Sequence, residues 1–583
     1  MHFKKAVLPA SFVVALAIVL TLISGIAIGQ APSPVVADSI YLNGTIITVN
    51  DKQPAAEAIA VRGGYILAVG SKSEVLSHKG PTTRIIDLHG NTLLPGFVDG
   101  HSHIGQVAFG WGLPRLDPPP VGAVKCIADI QKILREYIAQ KNIPPGQAIT
   151  ASQYDDSQLK ERRHPNRADL DAITTDHPLC LYHISGHLIT CNSAALKLAG
   201  ITRDTPNPLG GRIFHDPATG DLSGVLGDNA AMLVGKILPH PTIEDAKKNF
   251  NAVQQYYASF GYTTAQDGAT SEAIARLLLD ENEAGNLKLD VISYPYGPEV
   301  DKIIADLGIK IGKVYDRHLK FEGVKFFGDG SPQGKTAFLS EPYFHPPADA
   351  AANYRGLALL TQDQFNAIYD KFFQRGWQVQ AHCNGDACID RLLTAVALAE
   401  KKYGQGDWRP VVIHSQVVRR DQLDKYAELK IVPSYFEAHT FYWGDWHRDE
   451  TLGPVRAPFI SPLRTSLDKG IVFSIHSDSP VIPPNALFLY WAAVNRLTRS
   501  GKVLGPGERV DALTALKALT IWPAYQQFDE MIKGTLEPGK YADFVILAEN
   551  PLTVNPLHIK DIQVVETIKN GETLWKRGAS AAH

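Results

Sequence analysis

Eight short apolar runs, separated by stretches with helical patterns, constrain the fold of this chain more than any other sequence feature. Helical patterns cover residues 362–374, 388–402 and 420–429. Strands that alternate with helices predict a parallel sheet in an α/β fold. Eight such units predict a (β/α)₈ TIM-like barrel, in which active sites lie at the carboxyl ends of the strands. The runs are Phe97–His103, Tyr262–Gln266, Leu289–Ser293, Leu319–Phe327, Gln378–His382, Val411–His414, Ile431–Tyr435 and Ile471–His476.

A large insertion is expected after the first barrel strand. Residues 104–260 separate the first two runs, which is far too long for a loop. We expect a mostly helical subdomain there that covers the barrel mouth. The barrel and its insertion together occupy residues 95–529.

The two ends of the chain, residues 38–94 and 530–583, share a β-rich pattern. Turn dipeptides stand between apolar runs at Asn43-Gly44, Gly63-Gly64 and Asn570-Gly571 and predict hairpins. The two segments are expected to pair into one small β-sandwich domain. Two unrelated β-extensions are the alternative.

Residues 1–29 have the pattern of a targeting segment. Lys4 and Lys5 precede an apolar run, and small residues follow it up to Gly29. This order is typical of a secretory signal peptide, with cleavage near Gly29. An uncleaved membrane anchor is the alternative, since the run is also long enough to span a bilayer. Both interpretations predict an exported protein, periplasmic or secreted.

Composition excludes several classes of protein. Lys and Arg number 57 against 60 Asp and Glu, a net charge of −3, so the basic surplus typical of nucleic-acid binders is absent. The hydrophobic fraction of 45% excludes a disordered chain. The expected partner is a small molecule, and the sequence is compatible with a homo-oligomer without defining one.

The chain has five cysteines. Cys180 and Cys191 could pair in an oxidising compartment. We expect most of the cysteines to be buried thiols, and Cys383 to serve packing.

Residues with metal-binding side chains stand at the ends of the predicted strands. His101 and His103 are two positions apart, so on a strand both imidazoles face the same side, as a divalent metal requires. The other predicted strand ends supply Lys325, His382, His414 and Asp478.

Several sequence blocks resemble those of a known family. They are residues 95–103 (PGFVDGHSH), 323–330 (GVKFFGDG), 382–386 (HCNGD), 477–481 (SDSPV) and 536–543 (LEPGKYAD). Together they resemble the amidohydrolase superfamily, and within it the amidohydrolase family 3 branch. That branch includes N-substituted formamide deformylases and exoenzyme-regulatory-protein-like hydrolases.

The resemblance implies a set of metal ligands. His101 and His103 would bind one divalent metal, His382 and His414 a second, and Lys325 would bridge them as a carboxylated lysine. Asp478 would be both a ligand and the general base. The expected metals are two zinc ions, but a single metal, or iron or manganese, would also suit these ligands.

The implied activity is metal-dependent hydrolysis of C–N bonds in amide, N-acyl or cyclic amide substrates. The same barrel and metal site could instead serve an isomerase, a deaminase or a lyase, because a fold alone does not define a reaction. A non-catalytic secreted regulatory protein is the remaining alternative.

Further residues are candidates for contact with the substrate. His187 matches a position of that branch that faces the substrate, and His183 lies four residues earlier. His439 and Trp443 belong to an aromatic loop after the seventh strand that could line an apolar pocket or pack on the barrel rim. Asp329 is expected to turn the loop after the fourth strand.

Two positions differ from the pattern common in the branch. Ile413 replaces a glutamate before His414, and its side chain should face away from the metal. His476 stands where a small residue is common. His476 either orients a metal ligand through a hydrogen bond or fills the barrel interior.

Overall fold

The computed structural model describes residues 35–239, 241–404 and 406–579. The signal peptide predicted for residues 1–29 lies outside these ranges. None of the helices in the described ranges is long and apolar enough to cross a membrane.

The strands are β1 (Ser39–Ile47), β2 (Ala55–Arg62), β3 (Tyr65–Gly70), β4 (Arg84–Asp87), β5 (Thr92–Pro95), β6 (Phe97–Val98), β7 (Ile149–Tyr154), β8 (Leu179–His183), β9 (Leu188–Cys191), β10 (Gly211–His215), β11 (Leu222–Asp228), β12 (Tyr262–Thr270), β13 (Asp290–Pro295), β14 (Leu319–Phe321), β15 (Val324–Phe327), β16 (Val379–Cys383), β17 (Val411–His414), β18 (Val432–Tyr435), β19 (Ser474–Ile475), β20 (Phe544–Leu547), β21 (Val564–Lys569) and β22 (Glu572–Lys576). The α-helices are α1 (Lys72–Leu76), α2 (Ile104–Gly110), α3 (Ile127–Lys141), α4 (Arg167–Asp171), α5 (Ser193–Leu198), α6 (Ile243–Ser259), α7 (Glu272–Glu283), α8 (Val300–Leu307), α9 (Gln362–Gln374), α10 (Asp386–Tyr403), α11 (Arg420–Glu428), α12 (His439–Tyr442), α13 (Gly444–Trp446), α14 (Gly453–Arg456), α15 (Leu463–Asp468), α16 (Ala486–Asn495), α17 (Ala512–Lys517) and α18 (Ile521–Gln526).

Strands from both ends of the chain share one sheet. Its order is β22-β21-β20-β5-β1-β2-β3, with β4 beside β1. β20 joins the two ends by pairing antiparallel with β5, where Phe544 lies opposite Pro95. The strands expected to form a small sandwich are connected by hydrogen bonds into this one sheet of eight strands. Ile40 and Tyr41 are neighbours in β1, but their side chains lie in different apolar clusters. Successive side chains of a strand point to opposite faces of the sheet.

Two of the three predicted hairpins form. Gly63-Gly64 joins β2 to β3, and Asn570-Gly571 joins β21 to β22. The hairpin predicted at Asn43-Gly44 is wrong, because β1 continues through it with an irregular register and a left-handed φ of 62° at Asn43. Gly44 allows a close approach of two backbone segments there, since a Cβ at this position would lie 2.3 Å from the carbonyl oxygen of Asn91.

The predicted parallel strands are present, and their order follows the chain. They form two parallel sheets, β6-β12-β13-β14 and β15-β16-β17-β18-β19. The run predicted as a single fourth strand is divided between β14 and β15 at Glu322-Gly323. A Cβ at Gly323 would lie 2.3 Å from the Gln378 carbonyl oxygen, so glycine permits the close approach of the chain towards β16. The predicted helices correspond to α9, α10 and α11. This arrangement is that of a TIM-barrel-type fold.

The insertion contains a sheet that the sequence did not predict. Its five strands have the order β10-β11-β9-β8-β7, and the helices α2 to α6 also lie in the insertion, so the expectation of a mostly helical subdomain missed this sheet. The strands β8 and β9 are short apolar runs, and periodicity cannot distinguish such runs from buried helix.

Disulfides account for four of the cysteines, which corrects the expectation of mostly free thiols. Cys180 and Cys191 lie opposite each other on β8 and β9 and are bonded. Cys383 at the end of β16 is bonded to Cys388 in α10. Cys126 is free.

A buried ion cluster fastens the terminal sheet to the parallel strands. Asp290, the first residue of β13, lies 2.7 Å from Lys569 of β21 and 2.5 Å from Lys533. Lys569 also lies 2.7 Å from Asp543 next to β20. Because the charges are paired in the interior, loss of one of them would leave another uncompensated.

Candidate metal centre

The six predicted ligands lie at one end of the parallel strands, and all six are buried. Their positions follow from the strand ends: His101 and His103 after β6, Lys325 in β15, His382 in β16, His414 at the end of β17 and Asp478 after β19.

The first two histidines are oriented through their Nδ1 atoms. His101 Nδ1 lies 2.7 Å from Gln266 Oε1, and His103 Nδ1 lies 2.6 Å from the Gly268 carbonyl oxygen. Both partners are acceptors, so each Nδ1 carries the proton and donates it. The Nε2 atom of each ring faces Asp478 and is the nitrogen available to a metal.

The position of Asp478 shows whether a cation would fit between this carboxylate and the Nε2 atoms of His101 and His103. Its Oδ1 lies 3.2 Å from His103 Nε2 and 3.5 Å from His101 Nε2, and it is buried without a hydrogen-bond partner. One carboxylate oxygen and two imidazole nitrogens thus converge on one point in the interior, and this donor set suits a divalent cation. The residues fit a divalent metal.

The charge states agree with this assignment. Burial is the main cause that holds the pKa of His101, His382 and His414 well below the usual range, so these imidazoles are neutral. Burial acts to raise the pKa of Asp478, but its contact with His103 opposes burial, and the pKa lies well below its usual value. The aspartate is therefore ionised.

Lys325 reaches the same point from β15. Its Nζ lies 2.9 Å from His101 Nε2, and its side chain is completely buried. Burial lowers the pKa of Lys325 to about 7. A lysine with such a pKa has the neutral amine readily available near neutral pH.

His382 and His414 extend the site from the neighbouring strands. Their ring centroids lie 4.5 Å apart, and His414 Nε2 lies 3.8 Å from Asp478 Oδ2. His101, His103 and Asp478 form a compact group of ligand atoms, all within 4.8 Å of one another. Both His414 and Asp478 adopt left-handed φ values, 72° and 53°, which are uncommon outside glycine and cluster at active sites.

The insertion adds a histidine to the centre. His187 Nε2 lies 3.1 Å from His382 Nε2, and its Nδ1 lies 2.7 Å from Asp228 Oδ1 at the end of β11. Burial acts to lower the pKa of His187, but the carboxylate of Asp228 outweighs it and raises the pKa. Asp228 therefore fixes the orientation of His187.

Asp329 does more than turn its loop. It accepts backbone hydrogen bonds from Phe338, Asn384 and Gly385, and its Oδ1 lies 3.2 Å from His382 Nδ1. Burial raises the pKa of Asp329 to about 7. Its position holds the loop after β15 against the histidine of β16.

A cavity of about 880 Å³ opens above the ligands, which is a volume suited to a small molecule. Its apolar walls include Phe109, Tyr296, Phe327 and Leu359. The insertion contributes much of the opposite wall, including His183 and His187, so these two predicted substrate contacts do face the cavity.

Two predicted substrate contacts do not line the cavity. Trp443 is fully buried and donates through Nε1 to Asp155 at 2.9 Å. His439 is also buried, with Nδ1 3.1 Å from His447 Nε2. The side chains of Trp443 and His439 are therefore packed in the interior, with partners for these nitrogen atoms within the protein.

His476 lies directly behind a ligand, with Nε2 3.2 Å from His414 Nδ1. Burial lowers the pKa of His476 to about 3, so this imidazole is neutral. Ile413 faces an apolar cluster with Val411 and Val432, away from the metal ligands, as the strand alternation predicts.

Gln266 and Asp228 were not among the predicted residues of the site. Gln266 is a polar residue within a strand that is buried throughout, and a polar side chain in such a strand is a signal of a specific partner. Asp228 lies in a sheet of the insertion that was not predicted, so nothing in the pattern related it to His187.

A TIM-barrel-type fold with neutral histidines and an ionised aspartate around a common point at the strand ends defines a class, the metal-dependent hydrolases. Comparison with known proteins narrows this class. The model of the amidohydrolase family matches residues 84–575, and the chain belongs to this family.

Relatives match almost the whole chain. It is 26% identical over 551 residues to the N-substituted formamide deformylase of Arthrobacter pascens, covering 93% of this chain and 99% of that protein. It is also 26% identical to the putative amidohydrolase YtcJ of Bacillus subtilis, covering 92% and 99%. An uncharacterized metal-dependent hydrolase from Pyrococcus furiosus has a similar structure, with a TM-score of 0.66 at 26% identity, covering 88% of this chain and 100% of that one. The protein is therefore a metal-dependent enzyme with a small-molecule substrate.

Proposed function

We propose that the protein hydrolyses the C–N bond of small amides, namely N-substituted formamides, N-acyl compounds or cyclic amides. The observation that supports this most is Asp478 Oδ1, buried without a hydrogen-bond partner and facing the two Nε2 atoms of His101 and His103 beside the cavity. The similarity to a formamide deformylase supports this substrate class.

In this proposal, His101, His103, His382, His414 and Asp478 would hold two zinc ions, and Lys325, once carboxylated, would be a ligand shared by both. The 2.9 Å distance between Lys325 Nζ and His101 Nε2 supports a bridging position, since a carbamate on this nitrogen would supply oxygen ligands there. The compact group of His101, His103 and Asp478 is also compatible with a single metal. Iron or manganese would suit the same ligands.

The proton transfers are assigned to Asp478. A bound divalent metal would lower the pKa of water towards about 7 and polarise the substrate carbonyl. Asp478, whose pKa lies well below its usual value, accepts the proton of the attacking water and delivers it to the leaving nitrogen. His187, oriented by Asp228, faces the same point and would hold the substrate oxygen.

The site is proposed to lie at the mouth of one closed barrel of eight strand positions. Two backbone contacts support closure between the last and first strands: Asp478 N–H donates to the His101 carbonyl, and His103 N–H donates to the Ser479 carbonyl. A parallel bridge between Tyr296 and Lys325 supports contact between the two sheets.

Export is proposed from the sequence pattern of residues 1–29. The two disulfides support it, because disulfides persist mainly in oxidising compartments.

The test uses the purified full chain, stripped of metal by a chelator and then reloaded with Zn²⁺. A panel of N-substituted formamides, N-acyl amino acids and lactams is assayed for release of amine or opening of the ring. Zinc-dependent turnover of one of these classes is the expected result. If the reloaded protein leaves the whole panel intact but isomerises, deaminates or cleaves C–C bonds in related compounds, the proposal of amide hydrolysis is wrong.

A further inference from the structure

His187 lies in the loop of a hairpin that belongs to the insertion. β8 ends at His183, β9 begins at Leu188, and the two strands pair antiparallel. The segment from His183 to His187, here called the His187 loop, extends to the metal centre, where His187 Nε2 lies 3.1 Å from His382 Nε2. Sites on loops are held less rigidly than sites on strands, so contacts within this loop determine how well His187 keeps its position.

Ser185 connects the two ends of the His187 loop. Its backbone N–H donates to His183 Nδ1 at 3.2 Å, and its Oγ lies 2.8 Å from the same nitrogen. The backbone N–H of His187 donates to Ser185 Oγ at 3.2 Å. One serine side chain therefore links the main chain of His187 to the imidazole of His183.

The directions of these hydrogen bonds follow from the two backbone groups. A backbone N–H only donates, so His183 Nδ1 is an acceptor and carries no proton. The hydroxyl of Ser185 therefore also donates to this nitrogen, while its oxygen accepts the N–H of His187. Every imidazole carries at least one N–H, so the proton of His183 is on Nε2.

The Nε2–H of His183 is directed at Asp156, which follows β7 by two residues. Nε2 lies 3.0 Å from Asp156 Oδ1, which accepts this hydrogen bond. His183 is 1% exposed and Asp156 6%, so bulk water does not compete for these groups. The hydrogen bonds from Asp156 through His183 and Ser185 to the His187 N–H form one series, here called the Asp156 chain.

Asp156 also lies near a second histidine. His164 Nε2 is 3.7 Å from Asp156 Oδ2, so three side chains of the metal-ligand type lie together. The contacts of His183 argue against a metal here. Because Ser185 N–H is directed at Nδ1, Nε2 carries the proton and lacks the lone pair that a metal requires. The pair of Asp156 and His183 therefore serves as a hydrogen-bonded support.

We infer that Asp156, His183 and Ser185 are positioning residues for His187, whose backbone N–H they hold beside the metal centre. Asp228 holds the same residue from the other side, since its N–H donates to the His187 carbonyl and its Oδ1 lies 2.7 Å from His187 Nδ1. The inference rests on the proposed function, in which His187 would hold the substrate oxygen. It does not depend on which amide is the substrate.

The first test measures exchange of the His187 amide hydrogen with deuterium in the full-length protein. Ser185→Ala removes the acceptor of this N–H, whereas Ser185→Thr keeps a hydroxyl. We expect exchange about tenfold faster than wild type in Ser185→Ala and within about threefold of wild type in Ser185→Thr. Wild-type exchange in Ser185→Ala, or equally fast exchange in both variants, would overturn the inference.

The second test compares Asp156→Leu with Asp156→Asn. Asn keeps an oxygen acceptor for His183 Nε2–H, whereas Leu has a similar volume and no acceptor. We expect Asp156→Leu to speed exchange of the His187 amide and to lower kcat on the best amide about tenfold, with unchanged KM and zinc content. Asp156→Asn should stay within about threefold of wild type. Wild-type kcat in Asp156→Leu would contradict the inference.

A double-mutant cycle separates positioning of His187 from a general effect on the fold. In a His187→Ala background, Asp156→Leu should change kcat by less than about twofold, because the residue that it positions is absent. A further tenfold loss in that background would show that Asp156 acts elsewhere and would refute the inference. Amide exchange needs no turnover, so a protein that hydrolyses none of the amides, but shows the expected exchange, would contradict only the proposed reaction.

Discussion

Replacement of Asp228 by Asn tests whether the insertion takes part in catalysis. Asp228 is buried and holds His187 through a charge-assisted hydrogen bond of 2.7 Å, while His187 Nε2 lies 3.1 Å from His382 Nε2. Hydrogen bonds to charged groups contribute about 1.5–3 kcal/mol. If this contribution orients His187 in the transition state, Asp228→Asn should lower kcat/KM about 10- to 150-fold, since each 1.36 kcal/mol is about a factor of ten.

The assay compares kcat/KM of zinc-loaded wild type and Asp228→Asn on the best amide of the panel, together with zinc content and circular dichroism. Asp221→Asn is the control, because Asp221 directly precedes β11 but its side chain is 54% exposed. The reasoning fails if Asp228→Asn retains wild-type kcat/KM with normal zinc content. A loss of zinc with an equal loss of activity would assign His187 to metal binding instead of substrate binding.

Three further changes have outcomes that follow from the structure. Asp478→Asn should preserve the fold but lower kcat about 10²- to 10⁴-fold, measured by steady-state kinetics at matched zinc content, because it removes the proposed general base. Arg496→Met should lower the free energy of unfolding by about 3–5 kcal/mol in denaturant titrations, because it leaves Glu437, paired at 3.0 Å and completely buried, without a counter-charge. A double variant with Glu437→Leu should recover part of this loss. For Asp290, burial acts to raise the pKa, but Lys533 and the second lysine of the ion cluster hold it well below the usual value. Such a group stabilises the fold fully above its unfolded pKa of about 3.9, and this contribution is lost as the pH falls through the lower folded pKa. Asp290→Asn should therefore be less stable at pH 7 and lose less stability than wild type between about pH 5 and pH 2, as unfolding curves at a series of pH values would measure.

The parallel strands and the metal-binding residues could be predicted from the sequence for a physical reason. Strands buried on both faces must be apolar, and the chemistry of such folds is confined to their carboxyl ends. His101 and Asp478 could therefore be related although they are far apart in the chain. The spacing of His101 and His103 also defined a common face.

The residues behind the ligands could not be predicted in this way. Gln266 and Gln526 meet only because β12 and α18 both approach Gly100, which depends on three-dimensional packing. The sheet of the insertion was missed because its short strands lack an alternating pattern. Trp443 was assigned to the pocket from its aromatic character alone. The residue that accepts the hydrogen bond of its indole N–H, Asp155, belongs to the insertion.

Hydrolysis in ¹⁸O-labelled water tests the central claim most directly. The zinc-loaded protein is incubated with its best amide in H₂¹⁸O, and the carboxylate product is analysed by mass spectrometry. Attack by water activated at the His101–Asp478 centre predicts one solvent oxygen in each product carboxylate, and no product from metal-free protein. A product without ¹⁸O, or equal turnover without metal, would contradict the account.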